Sequence, residues 1–209
     1  MRFIAFDIET SPLPDAELNE LKPEFQAARN LKDTVKIEMD IANKEQAWRD
    51  DAALSAITGR VVAIGYATAS SDVILDIQED ETELLRNFWA RWDDREWGAG
   101  VWAGFNIFSF DLPFLVRRSW KHRIQVPLVR ETRWWSSRFI DLRQSWQLGD
   151  YQAHGNLDQV CRHLGLGKKT GSGADFAALL KSDRPKAEEY LRNDITLTSR
   201  LCEVLIGNS

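Results

Sequence analysis

Four carboxylates and one phenol lie in three short segments far apart in the chain, each inside or beside an apolar run. Asp7 and Glu9 stand in Phe6-Asp7-Ile8-Glu9-Thr10, and Asp111 in Asn106-Ile-Phe-Ser-Phe-Asp111-Leu-Pro113. Tyr190 and Asp194 stand in Tyr190-Leu-Arg-Asn-Asp194. A polar or charged group buried without a partner costs on the order of several kcal/mol. Four acids that converge would also repel one another, and a pair of divalent cations is the usual compensation. Two such ions roughly 4 Å apart clamp the attacking and leaving oxygens of a phosphodiester. Cleavage of that bond is the chemistry these residue types could carry.

Each segment alone has a blander reading. Asp-x-Glu followed by Thr10-Ser11-Pro12 is also good turn chemistry. Asp111, with Pro113 just behind it, would serve as the N-cap of a helix. Asp194 lies within the inward stripe formed by Ala187, Tyr190, Leu191, Leu197, Thr198, Leu201 and Leu205, where a buried salt bridge would explain it. The four-residue step from Tyr190 to Asp194 places the phenol on the same helix face, one turn away.

Elements able to hold these groups can be read from the hydrophobic pattern. Arg2–Asp7 reads as a buried central strand, with Asp7 and Glu9 pointing the same way from its C-terminal end. Pro12 and Pro14 then interrupt pairing. Residues 15–56 form a charged insertion expected to be helical, an arm or lid rather than a separate domain. Val61–Ala67 and Val73–Ile77 read as an antiparallel hairpin around Ser70-Ser71-Asp72. A helix over 81–95, a strand over 101–105, a helix over 111–120 and a short strand over 139–142 follow. The last third reads as helices over 156–164, 174–180 and 185–205. The order predicts a single α/β domain over residues 1–209, a mixed five-stranded sheet flanked by helices.

Composition narrows the class further. The 209 residues carry 44% apolar and 28% charged side chains, ordinary values for a globular domain. A net charge of −5 argues against a protein that coats duplex nucleic acid, which draws affinity from many basic contacts to phosphate. It leaves room for an enzyme that holds a few nucleotides and recruits metal to its own carboxylates. No apolar stretch is long enough to span a bilayer, so no membrane partner is expected. The N-terminal apolar run is too short for a signal peptide. Cys161 and Cys202 read as buried free thiols and fit a cytoplasmic protein.

The three segments, in this order and on these elements, resemble the motifs of the DEDD superfamily of 3′–5′ exonucleases, which have a ribonuclease H-like fold. The spacing Tyr190-x3-Asp194 resembles the tyrosine subclass, shared by polymerase proofreading domains and ribonuclease D-like enzymes. The histidine subclass would have His at position 189, which is Glu. Gly104-Phe-Asn-Ile-Phe-Ser-Phe-Asp-Leu-Pro-Phe-Leu115 is similar to the exonuclease domain of family B DNA polymerases and their stand-alone relatives. Leu157–Lys169 is similar to a segment these domains carry before their third motif. The likeness spans residues 1–11 and 60–205, and nothing about the insertion transfers.

By that resemblance Asp7, Glu9, Asp111 and Asp194 are the metal ligands, for two divalent ions, Mg²⁺ or Mn²⁺. Asp7, Glu9 and Asp194 would hold the ion that activates water. Asp7, bridging, and Asp111, through water, would hold the second at the leaving 3′ oxygen. Tyr190 would orient the water. Thr10, Asn106, Phe110 and Lys169 are the candidate substrate contacts.

The expected activity is release of nucleoside 5′-monophosphates from single-stranded DNA 3′ ends. Trimming of RNA and binding of nucleic acid on an inactive scaffold are the alternatives. Residues 117–146 interleave Arg117, Arg118, Lys121, Arg123, Arg130, Arg133, Arg138 and Arg143 with Trp120, Trp134, Trp135 and Trp146. This pattern suits either a single-strand channel or a solvated helix over a tryptophan-rich core. Lys168, Lys169 and Gly171-Ser-Gly173 read as a phosphate-contacting loop or an ordinary flexible connection. The insertion offers either a path for substrate or a site for a protein partner.

Overall fold

A computed structural model describes residues 2–207 apart from 69–71, 96, 98, 128, 129, 132, 133, 172, 174 and 175, with backbone alone at 130, 131 and 134. Strand β1 (Phe3–Pro12) leads into helices α1 (Asp15–Glu20) and α2 (Thr34–Asp50) and a 3-10 turn at Ala52–Leu54. Strands β2 (Gly59–Thr68) and β3 (Ile74–Ile77) follow, then helix α3 (Glu81–Asp93), strand β4 (Val101–Gly104) and helix α4 (Asp111–Lys121). Two short strands, β5 (Arg130–Glu131) and β6 (Trp134–Trp135), pair antiparallel. Strand β7 (Phe139–Asp141) and helices α5 (Leu142–Gln147), α6 (Leu157–His163), α7 (Phe176–Ser182) and α8 (Arg184–Leu205) complete the chain.

The main sheet has the order β3-β2-β1-β4-β7. β4 runs parallel to both β1 and β7, while β3 is antiparallel to β2, so the sheet is mixed and five-stranded as expected. The hairpin and the expected strands and helices after it follow the hydrophobic pattern; helix α5 and the β5–β6 pair were not expected from it. Residues 70 and 71 of the expected hairpin turn lie outside the described residues, as do residues 174 and 175 of the helix expected from 174.

Alternation along the strands sorts the two faces. Phe3 and Ala5 of β1 and Ala103 of β4 cluster with Leu197, Leu201 and Cys202 of α8. Phe6 and Trp102 turn the other way, where Phe88 and Trp92 of α3 and Phe139 of β7 join them in an aromatic layer. Odd positions of β1 therefore face α8, and Asp7 and Glu9 continue that series. The helix packs close to the sheet because β2 carries glycine beneath it: a Cβ on Gly65 would lie 2.4 Å from Ile195 Cγ1. Both cysteines are free and buried, and burial pushes the Cys161 thiol up to about 11.

Two further features differ from the expected pattern. Strand β1 continues to Pro12, so Asp7 and Glu9 lie within the strand rather than at its end. Its neighbour β2, also ten residues long, keeps the backbone extended past the last residue paired with β4, Ala5. The insertion is α-helical in only two stretches. Pro23, which fixes φ and lacks an amide donor, follows the C-cap of α1 at Leu21, and the chain stays irregular until Asp33 caps α2.

Residues Thr10–Arg60 form a compact unit, and the rest of the chain forms another. The smaller unit has its own apolar cluster of Leu13, Leu18 and Ala52, with Trp48 against it and Phe25 edge-on to Trp48. Ion pairs Lys22–Glu45, Lys44–Asp40 and Arg49–Glu45 cover it.

Candidate active site

Strand parity and helix periodicity bring three of the acids to one place. Asp7 and Glu9 project toward α8, and Asp194 lies on the α8 stripe that faces the sheet. One oxygen from each of Asp7, Glu9 and Asp194 lies within 4.8 Å of the others. Glu9 and Asp194 are buried and Asp7 half-buried. A solvated turn is thereby excluded for the Asp-x-Glu segment.

Asp111 reaches the same region from α4. Its Oδ1 accepts a hydrogen bond from the Ile8 amide, 3.2 Å away, between Asp7 and Glu9 on β1. It does not cap α4: the N-cap is Phe110, with no side-chain hydrogen bond to the helix end. One oxygen of the carboxylate is thus engaged by β1.

Charge at this point is poorly compensated by the chain. Burial, then Asp111 and Asp194, push Asp7 well above the usual carboxylate range; burial, then Asp7 and Asp194, do the same to Glu9. Asp111 rises to about 7, chiefly through burial. Asp194 is raised by burial despite Lys169, whose Nζ lies 2.6 Å from its Oδ2. The salt-bridge reading of Asp194 is thus realised, but one lysine stands against four acids. The Tyr190 hydroxyl, also buried, lies against Asp194. Carboxylate oxygens crowded together with so little positive charge fit a hard divalent cation.

The segment after α6 is built onto the cluster. Asp158 Oδ1 accepts from the Lys169 amide at 2.7 Å, Asn193 Oδ1 from the Thr170 amide, and Arg200 donates to the Leu166 carbonyl. Lys169 Nζ also sits 5.3 Å from the centre of the Tyr190 ring. Glycine lets the backbone pass directly over that ring: a Cβ at Gly171 would lie 3.0 Å from Tyr190 Cδ2. A Cβ at Gly173 would lie 3.5 Å from the Tyr190 hydroxyl and 3.6 Å from Glu9 Oε2. From Leu166 to Thr170 the connection is tied down by hydrogen bonds; Ser172 lies outside the described residues.

The remaining candidate contacts are placed less tellingly. Thr10 follows Glu9 on β1, half-buried. Phe110 packs on Phe114 at 5.5 Å, and the Asn106 amide oxygen accepts from Arg143 Nη1 at 3.0 Å. The basic and aromatic stretch is not a row of free cations. Arg118 is buried in a two-pronged ion pair with Glu81, which also meets His122 and the Val61 amide. Arg138 lies 3.6 Å over the Trp92 ring and donates to the Trp92 carbonyl. Trp135 stacks on Phe108, while Trp120 is exposed. Arg133 and the side chains of Arg130 and Trp134 lie outside the described residues.

Asp158 and Asp141 were missed by sequence reading. Asp158 lies in the segment whose likeness was noticed. The only local signal for Asp141 is its place at the end of a short strand, five residues before a tryptophan.

This sheet order, with helices on both faces and acids of β1 and α8 brought together, is that of a ribonuclease H-like fold. Residues 54–201 match a family described as predicted 3′–5′ exonucleases related to the exonuclease domain of PolB, and the chain belongs to that family. The family is one of predicted 3′–5′ exonucleases, an activity that implies a nucleic-acid substrate and dependence on divalent metal, and the Asp7–Glu9–Asp194 cluster offers carboxylates for such an ion. The matched span holds Asp111, Tyr190 and Asp194, whereas Asp7 and Glu9 precede it. No curated protein matches the chain. Among solved structures it is similar to the family B DNA polymerase from the hyperthermophilic archaeon Pyrobaculum calidifontis, with a TM-score of 0.69 and 19% identity. That likeness, one of fold, covers 99% of this chain and 24% of the polymerase chain, so the protein spans about a quarter of the polymerase's length. No helix among the described residues is long and apolar enough to cross a membrane.

Proposed function

We propose that the protein removes nucleoside 5′-monophosphates from the 3′ end of single-stranded DNA, using two divalent ions, Mg²⁺ or Mn²⁺. The observation that carries this reading is the Asp7–Glu9–Asp194 cluster, whose oxygens lie within 4.8 Å of one another with the Lys169 ammonium against Asp194. Asp7, Glu9 and Asp194 would hold one ion, and Asp7 with Asp111 the other. Bound there, the ions supply positive charge that makes water nucleophilic at neutral pH and stabilises the departing 3′ oxygen.

The chain's own groups do the rest. Tyr190, buried and beside Glu9 and Asp194, stays protonated, because burial and then the acids hold its pKa far above the ordinary phenol value. It therefore positions the attacking water by hydrogen bonding and does not abstract its proton. Lys169 pairs with Asp194, and its ammonium would meet a phosphate once ions took over that duty. The glycine-rich segment over Tyr190 excludes bulk water from the phenol.

The test is a ladder assay with 5′-labelled single-stranded DNA, duplex DNA and RNA oligomers in Mg²⁺ or Mn²⁺. Progressive shortening of single-stranded DNA, abolished by Asp7→Ala or Asp194→Ala with the melting profile retained, is the expected result. A ladder on RNA alone would move the assignment to RNA trimming. No shortening of any substrate would leave a binding protein on a nuclease scaffold.

A further inference from the structure

Asp141 ends strand β7 opposite Gly104 of β4, and it is 3% exposed. Unlike the four acids of the cluster, it is saturated by the backbone. Its Oδ1 accepts from the amides of Asn106 and Arg143, both at 2.9 Å, and its Oδ2 from the amide of Phe108 at 3.0 Å. A carboxylate with three such donors has little left to offer an ion.

The amides it holds belong to the turn that carries Asp111. Asn106 has φ of 68°, the left-handed region that asparagine enters more readily than most residues. Its side chain is fixed by Arg143, and its carbonyl accepts from the amides of Ser109 and Phe110. Ile107, fully buried, pins the turn against the sheet, where Gly104 leaves just enough room: a Cβ there would lie 2.6 Å from both Ile107 Cγ2 and the Phe6 carbonyl oxygen. Asp111 is the next residue after this turn, and its carboxylate then meets the Ile8 amide.

We propose that Asp141, together with Arg143, is a positioning residue for the reaction, locking the Asn106–Phe110 turn so that Asp111 is delivered to the other acids. The inference rests on the reading that Asp111 serves the metal centre. Neither residue touches the substrate or the ions in this account. Both act through Asp111, so their effects must vanish when Asp111 is gone. Outer partners that orient ligands commonly contribute about 10–100-fold in metal affinity or activity.

The experiment measures Mn²⁺ binding by electron paramagnetic resonance without nucleic acid, and single-turnover cleavage of a 5′-labelled DNA oligomer. The proteins are wild type, Asp111→Ala, Asp141→Asn, Arg143→Lys, Arg143→Met and the double variant Asp111→Ala/Asp141→Asn. Asp141→Asn should weaken Mn²⁺ binding and slow cleavage by about 10–100-fold, with oligomer affinity unchanged. It should add nothing in the Asp111→Ala background. Arg143→Met should repeat the loss in milder form and Arg143→Lys should restore most of it. Should Asp141→Asn not fold, the two Arg143 variants carry the comparison, since only a side-chain contact changes. Losses that multiply with Asp111→Ala, or Mn²⁺ binding unchanged in Asp141→Asn and Arg143→Met, would overturn the proposal. If Asp111→Ala alone kept wild-type binding and rate, the assignment of the centre itself would fall, and this inference with it.

Discussion

Asp111, raised to about 7, and Asp7 and Glu9, held well above the usual carboxylate range by burial and then by the neighbouring acids, set the pH behaviour of the metal-free protein. Their folded values lie above the unfolded ones, near 4. The stability they contribute is therefore complete below about pH 4 and is lost as pH rises through the folded values. In a chelator the melting temperature should fall from pH 5 to pH 8, and Asp7→Asn should flatten that slope. An identical slope in the variant would mean that the cluster does not govern it. Tyr190 makes a different claim. If it only orients water, Tyr190→Phe should slow single-turnover cleavage by about one to three decades, each worth ~1.4 kcal/mol, and leave oligomer affinity alone. Equal losses in rate and affinity would instead assign the ring a stacking role.

Among the elements, α8 is the one whose position decides the site, because it carries both Tyr190 and Asp194. Gly65 sets how near it lies to the sheet. Gly65→Ala would drive a methyl into Ile195, the neighbour of Asp194, and force the helix outward. Overpacking of this kind costs about 1–3 kcal/mol. We expect a lower melting temperature together with weaker Mn²⁺ binding; weaker stability with unchanged binding would show that α8 shifts without carrying Asp194 away.

Strands, helices and the order of the acidic segments were legible because periodicity is a local property. The partners of Asp141, Asp158 and Glu81 were not, since each closes hydrogen bonds with residues distant in sequence. Composition likewise left Arg118 and Arg138 open. A cation buried against a carboxylate or an indole leaves the same trace in sequence as one that faces a phosphate.

At the scale of the molecule, the unit Thr10–Arg60 has its own small core and surface ion pairs, and its role is open to a direct test. Replacing residues 15–56 by a short Gly/Ser linker should leave the remainder folded, with circular dichroism of the wild-type kind, and able to shorten a brief oligomer. On long single strands, affinity or processivity should fall, and fall most at low salt, where phosphate contacts act most strongly through counterion release. Unchanged behaviour across a salt series would assign the unit to a partner protein.

The cluster draws on positions 7, 9 and 194, with Asp111 acting on Asp7, so these acids come together only once the chain has folded. An ion that binds there binds the native protein and ignores the unfolded one. Metal is then a folding ligand as well as a reagent, stabilising by about 2.7 kcal/mol when its free concentration is a hundredfold above Kd. Melting temperature should climb with each addition of Mn²⁺ and cease to do so in Asp194→Ala. A cell that lowers its free divalent ions would thus do two things to this nuclease with one change: stop it cutting, and shorten the life of the chain.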